Sequence, residues 1–224
     1  MALYVDSAYL KDVEEVCATY PVVGVTTNPS ILLAALEQHD QRMDDLALTR
    51  ALLSICTGHV FMQPTATTLD ELRAAARRYI DVDPARVVVK LPMNALGIQT
   101  GKALKAEGAR VAYTATYSLA QAYVAAMADA DWIIPYHARL RRAGLDAAAR
   151  IEGMVALLER QKSPTRVLAA SVKSAACLVE VATAGAHDAT LPPEVIRALA
   201  EDALSDAAVA QFATDWQQVR ASLG

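Results

Sequence analysis

The sequence predicts an α/β protein: a single closed (β/α)8 barrel domain over residues 1–224, with residues 204–224 as an additional C-terminal helix. Three observations carry this reading. Short apolar, β-rich runs recur eight times, and Ala-, Leu-, Glu- and Arg-rich segments with helical spacing lie between them. The runs are continuously apolar rather than alternating, as strands buried on both faces of a parallel sheet are. Eight such units in 224 residues fit barrel closure. An open doubly wound sheet is the alternative, but neither GxGxxG nor GxxxxGK(S/T) follows any of the runs.

In chain order, the first two runs are ALYVDS (2–7) and VVGVTT (22–27). The third, HVFMQP (59–64), precedes the helical LDELRAAARRYI (69–80), and the fourth, VVVKLP (87–92), leads into NALGIQTGKALKAEG (94–108). RVAYTAT (110–116) and WIIPYH (132–137) follow, then the helical AARIEGMVALLERQK (148–162), then RVLAAS (166–171) and DATLP (188–192). LSDAAVAQFATDWQQVRASLG (204–224) reads as the extra helix, placed to cap the barrel or to dock on a neighbouring subunit. No linker-like Pro/Gly/Ser tract and no low-complexity segment interrupts the series.

Composition narrows the function classes. The chain is 54% hydrophobic and 21% charged with a net charge of −4, which gives no electrostatic ground for binding nucleic acid or an anionic membrane. The N-terminal MALYVDSAYL has no basic n-region and carries Asp6 in its only apolar stretch, unlike a secretory signal, and no apolar segment approaches the roughly 20 residues of a membrane span. Cys17, Cys56 and Cys177 are odd in number and lack a CxxC spacing, which fits buried, reduced thiols in a cytoplasm.

Catalytic groups of such barrels sit at the C-terminal ends of the strands. The runs end in Asp6, Thr26-Thr27-Asn28, Gln63, Lys90, Thr114 with Thr116, Tyr136 with His137, and Ser171 with Lys173. Period-2 alternation puts Val88 with Lys90 on the inward face, and likewise Ala112, Thr114 and Thr116; Ile134 and Tyr136; and Ala169, Ser171 and Lys173. Lys90 interrupts a run of valine and leucine, and an ammonium taken out of water costs several kcal/mol. Either its stem is buried while the ammonium reaches solvent or pairs with Asp6, or its amine, crowded by apolar walls and by Lys173 or Arg139, is partly neutral and attacks a carbonyl. The resulting protonated Schiff base is an electron sink that lets a neighbouring carbon–carbon bond break or form. Tyr136, Thr114, Gln63 and a bound water are then available to move protons, and Asp6, Asn28 and Thr26 are suited to holding a polyol. Lys173 is the rival nucleophile. Alternation points His137 away from the axis, and His39, His59 and His187 have no ligand spacing, so no metal is expected.

GVTTNPSIL (24–32), Lys90 within VVVKLP, and AASVK (169–173) resemble the transaldolase family, in the same order and over essentially the whole chain. KALKAEG (102–108) and FATDWQ (212–217) are similar to its fructose-6-phosphate aldolase and small-transaldolase branch. The resemblance implies a barrel enzyme without a cofactor that forms a Schiff base through Lys90. It maps Asp6 to substrate hydroxyls, Thr26 and Asn28 to the donor, and Arg139 and Ser171 to the sugar phosphate, with Lys173 suited to the same phosphate. It also implies a homo-oligomer, a decamer of two stacked pentamers. Transaldolases resembling this chain use a glutamate on the third strand and a phenylalanine on the sixth, where this chain has Gln63 and Tyr136. An amide cannot exchange a proton and a phenol can, so the expected reaction is reversible aldol cleavage and addition of ketose phosphates with a dihydroxyacetone- or hydroxyacetone-type donor. Transfer of a dihydroxyacetone unit between sugar phosphates is the alternative, and a non-catalytic phosphosugar-binding barrel a further one.

The chain departs from the family pattern at Asn94, Leu96, Ala138 and Arg141. It also has Ala112 and Ile134 where the aldolase branch has leucine on the fifth strand and a small residue on the sixth. Both point inward by alternation and are expected to wall the donor carbons.

Overall fold

The structure is a computed structural model and describes residues 1–223; residue 224, the last of the expected tail, lies outside the described residues. Eight parallel strands close into a barrel in sequence order: β1 (Ala2–Asp6), β2 (Val22–Thr26), β3 (Val60–Met62), β4 (Val87–Pro92), β5 (Arg110–Thr116), β6 (Trp132–Pro135), β7 (Arg166–Ala169) and β8 (Asp188–Leu191). Each strand pairs with the next, and β8 returns to β1 through Leu3↔Ala189 and Tyr4↔Thr190. The helices are α1 (Leu10–Thr19), α2 (Pro29–His39), α3 (Asp45–Ile55), α4 (Leu69–Ile80), α5 (Ala95–Ala106), α6 (Leu119–Met127), α7 (His137–Arg142), α8 (Ala147–Arg160), α9 (Ala175–Thr183), α10 (Pro193–Arg197) and α11 (Ala203–Leu223).

Short polar residues start most of these helices. Asn28, Asp44, Thr68, Asn94, Ser118, Asp146 and Ser174 each accept a hydrogen bond from a first-turn backbone N–H, and Ser118 with Gln121 forms a capping box. The strands read as continuously apolar because both faces are buried. Tyr4, Phe61, Val88, Trp132 and Leu168 fill the barrel interior, while Val5, Val25, Val60, Val89 and Val167 pack outward under the helices. Where α5 crosses the end of β4, a Cβ on Gly97 would meet the Pro92 carbonyl oxygen at 1.9 Å, so only glycine lets the helix lie that close.

The floor of the barrel holds a buried carboxylate that strand periodicity does not reveal. Asp188 accepts from Trp132 Nε1 at 3.0 Å, Arg166 Nε at 2.8 Å and Ala2 N at 3.1 Å. Burial opposes its ionisation, but these donors outweigh it and its pKa is lowered.

Two strand ends break the alternation. In β5, Ala115 has φ 57° and the register to β6 shifts between Thr114 and Thr116. After β7, Ser171 has φ 58°. This corrects the expected inward set on the seventh strand: Leu168 and Ala170 face the interior, and Ala169 packs in the outer shell. No helix of the described residues is long and apolar enough to cross a membrane.

Candidate active site

At the C-terminal ends of the strands lies a cavity of about 430 Å³. Nine of the side chains singled out in the sequence line it: Asp6, Asn28, Gln63, Lys90, Thr114, Tyr136, Arg139, Ser171 and Lys173. Each arrives by its own local route. Asp6, Gln63, Lys90, Thr114 and Tyr136 follow the inward period of β1, β3, β4, β5 and β6. Ser171 and Lys173 reach the mouth through the left-handed turn at Ser171 rather than by alternation. Thr116, past the bulge at Ala115, is fully buried with its hydroxyl unpartnered and does not line the cavity.

Lys90 is 3% exposed, and its Nζ donates to the Thr27 carbonyl at 2.8 Å. Burial lowers its pKa from the ordinary 10.5 to about 8, and the negative charge of Asp6 works against that fall. The depression therefore comes from the apolar walls, and the crowding by Lys173 or Arg139 expected from the sequence is not its cause. Asp6 is pushed above the usual carboxylate range by burial, opposed by Lys90 and by the Thr26 hydroxyl, which donates to Asp6 at 2.6 Å. Thr26 in turn lies 2.6 Å from the hydroxyl of Thr190. A half-buried acid and a buried amine thus share one pocket, each moved toward its neutral form.

On the opposite wall, Tyr136 Oη and Thr114 Oγ1 are 2.8 Å apart. Burial raises the Tyr136 pKa, against the Thr114 hydrogen bond and the Arg139 guanidinium, whose carbon lies 4.5 Å from the ring centroid. Tyr136 is therefore a phenol at neutral pH and begins as a proton donor. The Gln63 carbonyl oxygen is buried without a partner, so it is open to accept from a ligand or a water. Asn28 caps α2: its Oδ1 accepts from Ile31 N at 3.1 Å, which leaves its amide N–H groups for the cavity.

Three expected substrate-binding residues lie below the cavity rather than on it. Thr26 is fully buried behind Asp6. Ala112 and Ile134 are fully buried in the barrel's interior apolar cluster, and neither lines the cavity. Their direction matches the alternation, but they stand one step beneath Thr114 and Tyr136, so the donor wall is not built from them. Arg141 also lies off the cavity, its guanidinium 3.3 Å from Glu180 at the surface. The sequence reading named Thr27 at a strand end but gave it no role, although its carbonyl supports Lys90, and it missed Thr190, which supports Thr26, and the first turn of α2, where Pro29, Ser30 and Ile31 line the mouth. Thr190 was accessible to the same alternation rule, in DATLP.

The family model described as Transaldolase/Fructose-6-phosphate aldolase matches residues 3–223. Proteins named probable transaldolase are similar over nearly their full lengths. That of Thermus thermophilus is 32% identical over 223 residues, 98% of this chain and 100% of that protein. That of Herpetosiphon aurantiacus is 33% identical over 219 residues, covering 98% and 96%. That of Symbiobacterium thermophilum is 30% identical over 220 residues, covering 98% and 99%.

Proposed function

Because this chain belongs to the transaldolase/fructose-6-phosphate aldolase family, we propose that it is a Schiff-base aldolase, cleaving and forming ketose phosphates reversibly with a dihydroxyacetone- or hydroxyacetone-type donor. The observation that carries the reading is Lys90, a cavity amine whose pKa of about 8 leaves a usable neutral fraction near physiological pH. The neutral amine attacks the ketose carbonyl, water leaves, and a protonated imine forms. Loss of a proton from the hydroxyl on the second carbon from the imine carbon then breaks the bond between the first and second carbons. Its electrons pass to the imine nitrogen as an enamine, and the aldehyde departs. Protonation of the enamine and hydrolysis of the imine return Lys90.

Tyr136 serves the proton transfer. In the addition direction the phenol gives its proton to the alkoxide that forms with the new bond, and cleavage is the reverse step. Thr114 orients Tyr136 through the 2.8 Å contact, and Gln63 holds a water without exchanging its own protons. Asp6 and Asn28 hold donor hydroxyls, with Thr26 fixing Asp6 from beneath. Arg139, Ser171 and Lys173 at the rim receive the phosphate.

The second reading, transfer of a dihydroxyacetone unit between sugar phosphates, is favoured by the names of the relatives, and the amide at Gln63 weighs against it. A panel of donors and acceptors separates the two. Release of free dihydroxyacetone or hydroxyacetone from a ketose phosphate supports the aldolase, and turnover only when an acceptor aldehyde phosphate is supplied supports the transferase. Borohydride with a ketone donor tests the chemistry common to both: a mass gain on the Lys90 peptide is expected, and none at saturation leaves a phosphosugar-binding barrel. The three unpaired cysteines fit a cytoplasmic location.

A further inference from the structure

Behind the mouth, on the outside of the barrel, is a polar cluster that the proposed chemistry does not use. Tyr136 faces the cavity, and the next residue, His137, is turned away from it and fully buried. His137 Nε2 lies 3.1 Å from Glu180 Oε2. Cys177 stands three residues before Glu180 on α9, so the two share one face of that helix. A ring nitrogen of His137, Sγ of Cys177 and a carboxylate oxygen of Glu180 all lie within 4.8 Å of one another.

Glu180 faces Nε2, the ring nitrogen on the cluster side, and His137 Nδ1 is buried with no hydrogen-bond partner. Imidazole, thiolate and carboxylate are the donor types of a tetrahedral zinc site, with water as fourth ligand. Magnesium and calcium prefer oxygen alone. Cys177 and Glu180 are half-buried, which leaves a solvent side for that water. Arg141 touches Glu180 at 3.3 Å, but its side chain is 59% exposed and free to swing away.

We propose that His137, Cys177 and Glu180 bind a zinc-class divalent cation at a site separate from the cavity around Lys90. On coordination the Cys177 thiol releases its proton to solvent, and Glu180 exchanges Arg141 for the metal. The ion ties α7 to α9. Those helices flank the strand ends that carry Tyr136 and Ser171, and α7 is already joined to the segment between β7 and α9 by His137 N to the Ala170 carbonyl at 2.9 Å and Ala138 N to the Ser171 carbonyl at 3.2 Å.

The test is titration of the chelator-treated full chain with Co²⁺, followed by absorption. The expected result is one bound equivalent, with visible bands of tetrahedral cobalt and a near-ultraviolet thiolate-to-cobalt band, all displaced by Zn²⁺. Cys177→Ser removes the thiolate band and weakens Zn²⁺ binding by ~10-fold or more, on the scale of lost metal-site interactions. Glu180→Gln weakens binding while keeping the band, and Arg141→Ala tightens it by removing the competing cation. A wild-type protein without the thiolate band overturns the proposal. So does a band that survives Cys177→Ser, since the metal then sits at Cys17 or Cys56.

Discussion

Lys90 is the residue on which the proposed chemistry turns, and its environment makes its behaviour measurable. Lys90→Met keeps the apolar stem and removes the amine, so borohydride trapping and carbon–carbon bond chemistry are expected to vanish while the circular dichroism spectrum is unchanged. Trapping that persists in Lys90→Met and disappears in Lys173→Met would reassign the nucleophile. In the native protein, trapping at low donor concentration should rise with pH and level off above about 8 as Lys90 loses its proton. The same group sets a stability trend. Between about 8 and the unfolded value of 10.5, the unfolded chain holds a proton that folded Lys90 has lost, so Lys90 adds stability as pH rises through that window. Below it, the buried charge is a net cost, and Lys90→Met should be more resistant to urea than the native protein at pH 7, with the gap closing toward pH 10. Tyr136→Phe is expected to slow cleavage by roughly 10²-fold while imine trapping survives, the usual scale for a lost acid or base. Near-normal turnover would move that role to Thr114 and a water. Gln63→Glu should raise transfer relative to free cleavage, and unchanged partitioning would remove residue 63 from the distinction. Lys90, Gln63, Thr114 and Tyr136 were legible in the sequence because a polar residue at the end of an apolar strand has few other reasons to be there. His137, Cys177 and Glu180 were not: 40 residues separate the histidine from the cysteine, and only the neighbouring of β6 and β7 brings them together.

At the scale of elements, the boundaries were largely readable and the irregularities were not. The helix expected over 69–80 is α4 itself, and that expected over 94–108 is α5 with Asn94 as its cap. Asn94, a departure from the family's Ser or Thr, accepts from Gly97 N at 2.8 Å, so the departure preserves the cap. Asn94→Ala should therefore cost about 1 kcal/mol in denaturant unfolding, and Asn94→Ser a few tenths at most. Equal losses in the two variants would show that the side chain does not act as a cap. Periodicity failed where the backbone leaves the extended region. Ala115 and Ser171 both have positive φ, a conformation that alanine and serine adopt too rarely for composition to announce it. The first turns Thr116 away from the cavity, and the second swings Ser171 and Lys173 into it. Alternation gave the direction of Ala112 and Ile134 correctly, but it carries no information about depth along the barrel axis, and depth separates an interior filler from a cavity wall.

The molecule as a whole leaves one element without a partner. Every residue of α11 is exposed except the half-buried Ala208, so this helix does not cap the barrel of its own chain. Val209, Phe212, Trp216, Val219 and Leu223 follow one another at steps of 3 and 4 along it, which places them in one apolar stripe of the spacing that seams two packed helices. Phe212 is 67% and Trp216 56% exposed. Fully burying one large apolar side chain is worth roughly 1.5–3 kcal/mol, so a stripe of five is a strong drive to associate, and the barrel's own surface does not meet it. We propose that α11 docks on a neighbouring copy, which accords with the decamer of two pentamers that the family resemblance implies. Light scattering should give a mass well above that of one chain, and truncation before Leu204 should lower it. Phe212→Glu with Trp216→Glu should do the same without touching any residue of the cavity. If the truncated chain keeps both its assembly and its unfolding temperature, α11 is not the contact. A native protein that is monomeric at micromolar concentration would refute the assembly itself, since a stripe of this size would then be standing in water with no partner to gain.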